Sequence, residues 1–361
     1  MSQPEAKPVR ISSEPVQLQA LEPMLERVQG AVGDVPALLA LAKEIGHTAP
    51  KPGEGSTAKL WELLASVTAA DVAAGRVLEP HLDALAILEQ ADSPATPGGA
   101  WGVFAAEGPG LKLEAKRDDA GNYVLNGSKP WCSLAAQLDG AVITAHTEDN
   151  SRAAFAVDLK HPGVSCETPQ WTSRGLQEIP SGTVHFSQVP ATPVGDEGWY
   201  FSRPGFAWGG MGVAACWLGG AVAVARDFRT SLLRGADNGR EPDQVALASL
   251  GEVDRILTSA TGYLAQTAER IDTGEPENPD GGTGTNTPSA WSEALRVRGT
   301  VAAAVERVQT IVTQNLGPAP LAFNEAYDKR MADLSLYIRQ HHAMRDDAQL
   351  GSLTLKGDCG W

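Results

Sequence analysis

The chain has 361 residues, of which 42% are hydrophobic and 20% charged, the make-up of an ordinary folded protein rather than a disordered one. Its 44 acidic residues outnumber 29 basic ones, for a formal charge of −15 with no basic block to offset it. Sequence-independent binding to DNA or RNA rests on phosphate neutralisation, so no nucleic-acid partner is expected, and docking on an anionic membrane is disfavoured. Cys132, Cys166, Cys216 and Cys359 are scattered without a C-x-x-C pair, which fits a reducing cytoplasm. The opening MSQPEAKPVR leads into no apolar run, so no secretory signal is expected.

Residues 1–95 read as an N-terminal helical domain. The stretch 17–31 is amphipathic, and Pro36 and Lys51-Pro52-Gly53 punctuate the segment after it. Residues 57–90 predict one or two helices, with Leu78, Leu82 and Leu85 at helical spacing and Pro80 expected to kink or start the second. Residues 96–198 read as a middle β domain. Its strand candidates are 111–116 and 123–127 around the turn Asp118–Asn122, then 141–146, 153–159 and 183–189. Short strands with closely spaced turns predict an antiparallel barrel or sandwich. Residues 199–361 read as a C-terminal four-helix bundle, with helices over 205–234, 242–272, 289–315 and 321–350 and an exposed Gly/Pro/Thr-rich loop at 273–288. The fold class is therefore α+β.

From Pro204 to Ala225 no residue is charged, long enough to span a bilayer. Gly205, Gly209, Gly210, Gly212, Gly219 and Gly220 instead predict a helix buried by close packing, so no membrane partner is expected. Gly210-x-Gly212-x-x-Ala215 matches a dinucleotide fingerprint by letter only, because no strand precedes it. Gly127-Ser128-Lys129 has the wrong order for a phosphate loop. His341 and His342 are adjacent, so on a helix they would point about 100° apart, and no metal site is expected. No G-x-S-x-G nucleophile elbow occurs.

Gly121-Asn-Tyr-Val-Leu-Asn-Gly-Ser-Lys-Pro-Trp-Cys-Ser133 resembles a strand of the middle domain of the acyl-CoA dehydrogenase flavoprotein superfamily. Arg174-Gly-Leu-Gln-Glu-Ile-Pro-Ser-Gly-Thr-Val-His-Phe-Ser-Gln-Val-Pro190 resembles that domain's closing strand, and Ala105-Ala-Glu-Gly-Pro-Gly110 is a weaker match. The order helices, β domain, bundle is also the family's. The resemblance implies FAD as cofactor. Trp131 would stack on the flavin ring, Ser133 would hydrogen-bond it, and Cys132, Ala105 and Ala106 would contribute backbone groups. Taken alone, a Trp in a β domain is more often core. Leu316-Gly317-Pro-Ala-Pro320 stands where the family approaches the cofactor diphosphate from a neighbouring subunit, and its prolines remove N–H donors. The implied partners are an acyl-CoA substrate and further subunits, as a homo-dimer or tetramer or with a paralogue.

The implied reaction is α,β-dehydrogenation of an acyl thioester, which needs a base opposite the flavin and polarisation of the carbonyl. Neither usual carboxylate is present: the family's Glu position falls at or beside His341, where no Glu stands, and Phe206–Val213 has no acid. His341 or His342 is the candidate base, against the plain reading of a solvated helix end. Flavin monooxygenases of the superfamily have a His near that place. The alternatives are such a monooxygenase or oxidase, or a silent partner subunit. The charge of −15 opposes an anionic CoA ester unless Lys112, Lys116, Arg117, Lys129 or Arg174 forms a local basic patch.

Overall fold

The computed structural model describes residues 7–12, 18–94, 98–148, 151–274, 288–359 and 361. Most of the loop expected at 273–288 lies outside them.

Four helices come first: α1 Glu22–Gly30, α2 Val35–Gly46, α3 Thr57–Ala70 and α4 Val72–Gln90. Pro36, expected as punctuation, sits in the first turn of α2, where its missing N–H is harmless. The Asp34 side chain caps α2 by accepting from Ala37 N at 3.0 Å. Pro80 neither starts nor ends a helix. The break comes earlier, at Asp71, whose extended backbone separates α3 from α4 and whose carboxylate accepts from Ala74 N at 2.9 Å. Pro80 lies inside α4, where it withholds an N–H from the carbonyl of Arg76 while the helix runs on.

Seven strands come next: β1 Trp101–Phe104, β2 Leu113–Arg117, β3 Tyr123–Ser133, β4 Gly140–His146, β5 Arg152–Asp158, β6 Val164–Cys166 and β7 Ser181–Val194. β4, β2, β3, β7 and β5 form a closed ring, because β5 pairs back onto β4; β1 lies beside β4 and β6 beside β7. The ring is a barrel, as expected, but it is not wholly antiparallel. β1 and one residue of β2 pair with β4 in parallel. The β2–β3 hairpin lies between β1 and β4 in the chain, and so long an excursion allows a parallel return that a tight turn forbids.

The C-terminal helices are α5 Trp199–Ser202, α6 Pro204–Asp237, α7 Gln244–Thr273, α8 Ala290–Leu316, α9 Pro318–Phe323, α10 Glu325–Tyr337 and α11 Met344–Leu355. The single helix expected over 321–350 is three pieces. Asn324 has extended backbone and caps α10 through Tyr327 N, and Ala343 takes φ +50° before α11.

α6 is long and apolar enough to cross a membrane, but 78% of its most apolar window is buried inside the protein. Its glycines explain how. A Cβ on Gly219 would stand 2.1 Å from the Ala65 carbonyl oxygen of α3, and one on Gly220 would stand 2.7 Å from Leu334 of α10. Only hydrogen at these positions lets the α3 backbone and the Leu334 side chain close on α6.

Candidate functional site

The motif that carries the family resemblance ends β3. There the pairing with β7 is irregular between Lys129 and Cys132, and two non-glycine residues, Trp131 and Leu134, have φ of +60° and +57°. Left-handed backbone is costly for such side chains and collects at functional sites. Here it turns the Trp131 indole outward. Trp131 is 63% exposed, so it is a shelf on the surface and not a core residue. Two positions on, the Ser133 hydroxyl is nearly buried and lies 3.0 Å from Arg76 Nη2 and 2.6 Å from Ser181 Oγ. Cys132 between them is buried, with Sγ directed to the Lys129 carbonyl at 3.3 Å, and burial pushes its thiol up. It is an inert side chain in a strand, not a nucleophile.

Ala105 and Ala106 follow β1, but the Ala105 carbonyl accepts from Arg152 Nη2 at 2.9 Å, which removes one of the backbone groups expected to be available. Glu107 beside them accepts from the buried Lys129 Nζ at 2.7 Å. Gly317, at φ +66°, caps α8 through its N–H to the Thr313 carbonyl at 3.0 Å and opens α9.

Arg76 links the barrel to the helices. Besides Ser133, its guanidinium lies 5.9 Å from the centre of the buried Tyr337 ring on α10. Arg298 of α8 makes a second link: Nη1 donates to the Gly210 carbonyl at 3.0 Å, Nη2 donates to the Gln340 carbonyl at 2.6 Å, and the group sits 4.9 Å from the Trp217 ring centre. Arg298 thus fixes the turn that precedes His341.

His341 and His342 do not lie on a helix, and they converge where divergence was expected. His341 Nδ1 is 3.0 Å from Asp346 Oδ2 and His342 Nδ1 is 3.2 Å from Asp346 Oδ1. The His341 side chain is 9% exposed and that of His342 is 66% exposed. Burial pushes the Asp346 carboxyl up, but the hydrogen bond from His342 N and the two histidines together hold it low. His341 paired to a carboxylate has the geometry of an oriented acid–base imidazole.

One face of α4 carries three ionisable residues at helical spacing: Arg76, Glu79 and Asp83. Glu79 is 9% exposed and Asp83 is partly buried, and both line a cavity walled by Trp61, Leu64, Leu82 and Trp208. Burial and then the nearby Asp83 charge raise the Glu79 carboxyl to about 7, against the pull of Arg76 and Arg298. Burial also raises Asp83, opposed by Arg203. A Cβ on Gly209 of α6 would stand 2.9 Å from Asp83 Oδ1. Glu79 and Asp83 of α4 thus face the stretch of α6 that has no acid of its own. Sequence reasoning passed over Arg76, Glu79 and Asp83; the available signal was three charges on one stripe of a helix whose remaining residues read as core.

Elsewhere, Asp71, Glu178 and Asp333 bring carboxylate oxygens together as metal ligands would, but Lys329 Nζ stands among them at 2.8, 2.8 and 2.7 Å. The ammonium ties the N-terminus of α4 to α10 and to the segment before β7. Of the five basic residues expected to form a patch, Arg174 is exposed, and the other four have partners. Lys112 and Lys116 both pair with Glu114 at 3.0 Å, Lys129 with Glu107, and Arg117 donates to the Gly121 carbonyl while stacking on Tyr123.

Residues 108–189 match the family described as acyl-CoA dehydrogenase, middle domain. No curated protein sequence matches. Among solved structures, the chain is similar to KijD3 in complex with FMN and dTDP-3-amino-2,3,6-trideoxy-4-keto-3-methyl-D-glucose, at 17% identity and TM-score 0.74, over 94% of this chain and 93% of that one. It is also similar to TdsC from Paenibacillus sp. A11-2 with FMN and indole, at 17% identity and TM-score 0.76, over 94% and 96%. A third likeness is to butyryl-CoA dehydrogenase from Megasphaera elsdenii, at 16% identity and TM-score 0.71, over 93% and 90%. Helices, closed barrel and helices recur in that order, and the chain has the fold of the acyl-CoA dehydrogenase flavoprotein superfamily, with its middle domain over residues 108–189.

Proposed function

We propose that the protein is a flavin-dependent oxidoreductase, and that Trp131 and Ser133 at the end of β3 hold the flavin ring. The observation that carries this reading is the outward, strained placement of Trp131 beside the Ser133 hydroxyl, within the segment that matches the family. A flavin ring needs a flat apolar surface flanked by a hydrogen-bond donor, and these residues fit that need. When bound, the flavin would supply two-electron redox chemistry. The chain's own residues do the rest: Arg76 holds the Ser133 hydroxyl in place, Arg298 fixes the turn before His341, and Asp346 orients the His341 imidazole.

FAD is the expected flavin, but Pro318 and Pro320 withdraw N–H donors from the segment expected near its diphosphate, and FMN accompanies two of the similar structures. Of the two reactions, we favour oxygen-dependent monooxygenation or oxidation over acyl-CoA dehydrogenation. The paired lysines leave little positive surface for a CoA ester, and an imidazole with a carboxylate partner supports a base other than the dehydrogenase Glu. A cytoplasmic oligomer is part of the same reading; the exposed Phe323, Met344 and Leu355 on α9–α11 support a subunit contact.

Purified protein that carries flavin, identified as FMN or FAD after release, tests the cofactor. Oxygen consumption that depends on externally reduced flavin supports the favoured reaction. Anaerobic bleaching of bound flavin by an acyl-CoA would overturn it, and a His341→Ala variant with an unchanged pH–rate profile would remove the imidazole from the mechanism.

A further inference from the structure

We propose that the groove between α3 and α6 is a peptide-binding site, and that residues 7–12 of this chain are its resident ligand. The ligand class is an extended peptide with β-branched side chains two residues apart and a hydroxyl residue after the second. The proposal is independent of the flavin reading above.

Residues 7–12 belong to no helix or strand of the fold. Val9 and Ile11 are 3% and 2% exposed, whereas Arg10 between them is exposed. Side chains that alternate in and out in this way mark an extended segment. A helix has already used its main-chain groups on itself, so a groove between helices must hold such a segment with side chains. From α3, Ser66 Oγ accepts from Val9 N at 2.8 Å. Glu62 Oε1 accepts from Ile11 N at 3.0 Å, from Ser12 N at 2.9 Å and from Ser12 Oγ at 2.8 Å. From α6, Arg226 Nη1 and Nη2 donate to the carbonyls of Lys7 and Pro8 at 2.6 and 2.7 Å.

Glu62 and Ser66 stand one turn apart on α3, and beneath the segment they are 1% and 0% exposed. Among the described residues Glu62 and Arg226 make no ion pair, so both charges are turned on the peptide groups of residues 7–12. Hydrogen bonds to a charged group are about twice as strong as those between neutral groups. They also set a direction. The guanidinium meets carbonyls at one end of the segment and the carboxylate meets N–H groups at the other, so a chain laid the opposite way presents the wrong groups. Main-chain bonds supply affinity and pockets for alternate side chains supply selectivity, which is the general logic of extended-peptide recognition. Here Val9 and Ile11 join the hydrophobic core, and the Ser12 hydroxyl adds a third donor to Glu62.

The test cuts the full chain after it has folded. A protease recognition sequence flanked by Gly-Ser is inserted between Ser12 and Leu18, and cleavage turns the segment into a separate peptide. The nicked protein is expected to keep its circular dichroism spectrum and to release the segment on dilution. It is then expected to capture a dye-labelled peptide of residues 1–12, read by fluorescence anisotropy, with a dissociation constant of about 1–100 μM. Peptide variants leave the protein itself unchanged. Ile11→Ser in the peptide is expected to weaken capture at least about tenfold, and a peptide of reversed sequence to show no saturable capture. In the protein, Glu62→Gln and Arg226→Met are each expected to weaken capture about tenfold. A segment that neither leaves nor exchanges overturns the proposal, as does a vacated groove that captures no peptide. Unfolding once the segment has left also overturns it, because residues 7–12 would then be core and not ligand. Undiminished capture of the Ile11→Ser or reversed peptide, or by Glu62→Gln, overturns the recognition assigned to the groove.

Discussion

Replacing Glu79 by glutamine removes one ionisable group and changes little in volume, so its effect on stability is nearly pure electrostatics. In the unfolded chain the Glu79 carboxyl ionises near 4.5, and in the folded protein near 7. The folded state therefore holds the proton more tightly. The stability this contributes is present in full below about 4.5, is lost as pH rises toward 7, and does not change further above that. A move from 4.5 to about 7, at about 1.4 kcal/mol for each pH unit, is worth about 3 kcal/mol. The variant lacks this loss. Urea unfolding of both chains between pH 4.5 and 8 is expected to show Glu79→Gln gaining on the wild type by about 3 kcal/mol across that range. Relief of the repulsion with Asp83 is already part of this figure, because the Asp83 charge is among the causes that raise Glu79. Taking the difference between the two chains cancels titrations elsewhere. A difference constant within about 0.5 kcal/mol over the whole range would refute the buried, unpaired state assigned to Glu79.

Gly219→Ala places a methyl group 2.1 Å from the Ala65 carbonyl, so α3 and α6 must separate; we expect a loss of about 1–3 kcal/mol in urea unfolding, and a neutral result would refute the close crossing. Lys329→Met leaves Asp71, Glu178 and Asp333 facing one another without their cation. We expect a loss of about 3–5 kcal/mol at neutral pH that shrinks as the carboxylates protonate in acid, measured by unfolding at several pH values. Trp131→Ala removes a side chain that is 63% exposed, so stability is expected to hold within about 0.5 kcal/mol, while flavin affinity by fluorescence titration falls about tenfold; a large drop in Tm would return Trp131 to the core.

Much of the fold is legible in the residues themselves. Hydrophobic periodicity and turn chemistry are local properties, and they suffice for the helices, the β3 and β4 strands and the burial of α6. The six glycines of its uncharged stretch already imply close approach, because only a missing Cβ permits it. The exceptions are places where a neighbour in the chain or in space outweighs the local signal. Asp71, an N-cap in extended backbone, breaks the helix that Pro80 was expected to break. Asn324 and Ala343 divide the last helix, since capping and a left-handed turn depend on what the ends pack against.

The site divides the same way. The motif around Trp131 and Ser133 is readable because it is contiguous on one strand. The partners that give these residues meaning are not, because they come from elsewhere in the chain: Arg76 on α4 for Ser133, and Asp346 for the two histidines. Residues 206–213 of α6 carry no acid, and packing sets Glu79 and Asp83 of α4 opposite them. Residue order alone settles the succession of domains, the strand that carries the family motif and the excess of negative charge. Packing in three dimensions decides which charges are paired and which are buried without a partner, because pairing and desolvation depend on distance in space and not on spacing along the chain.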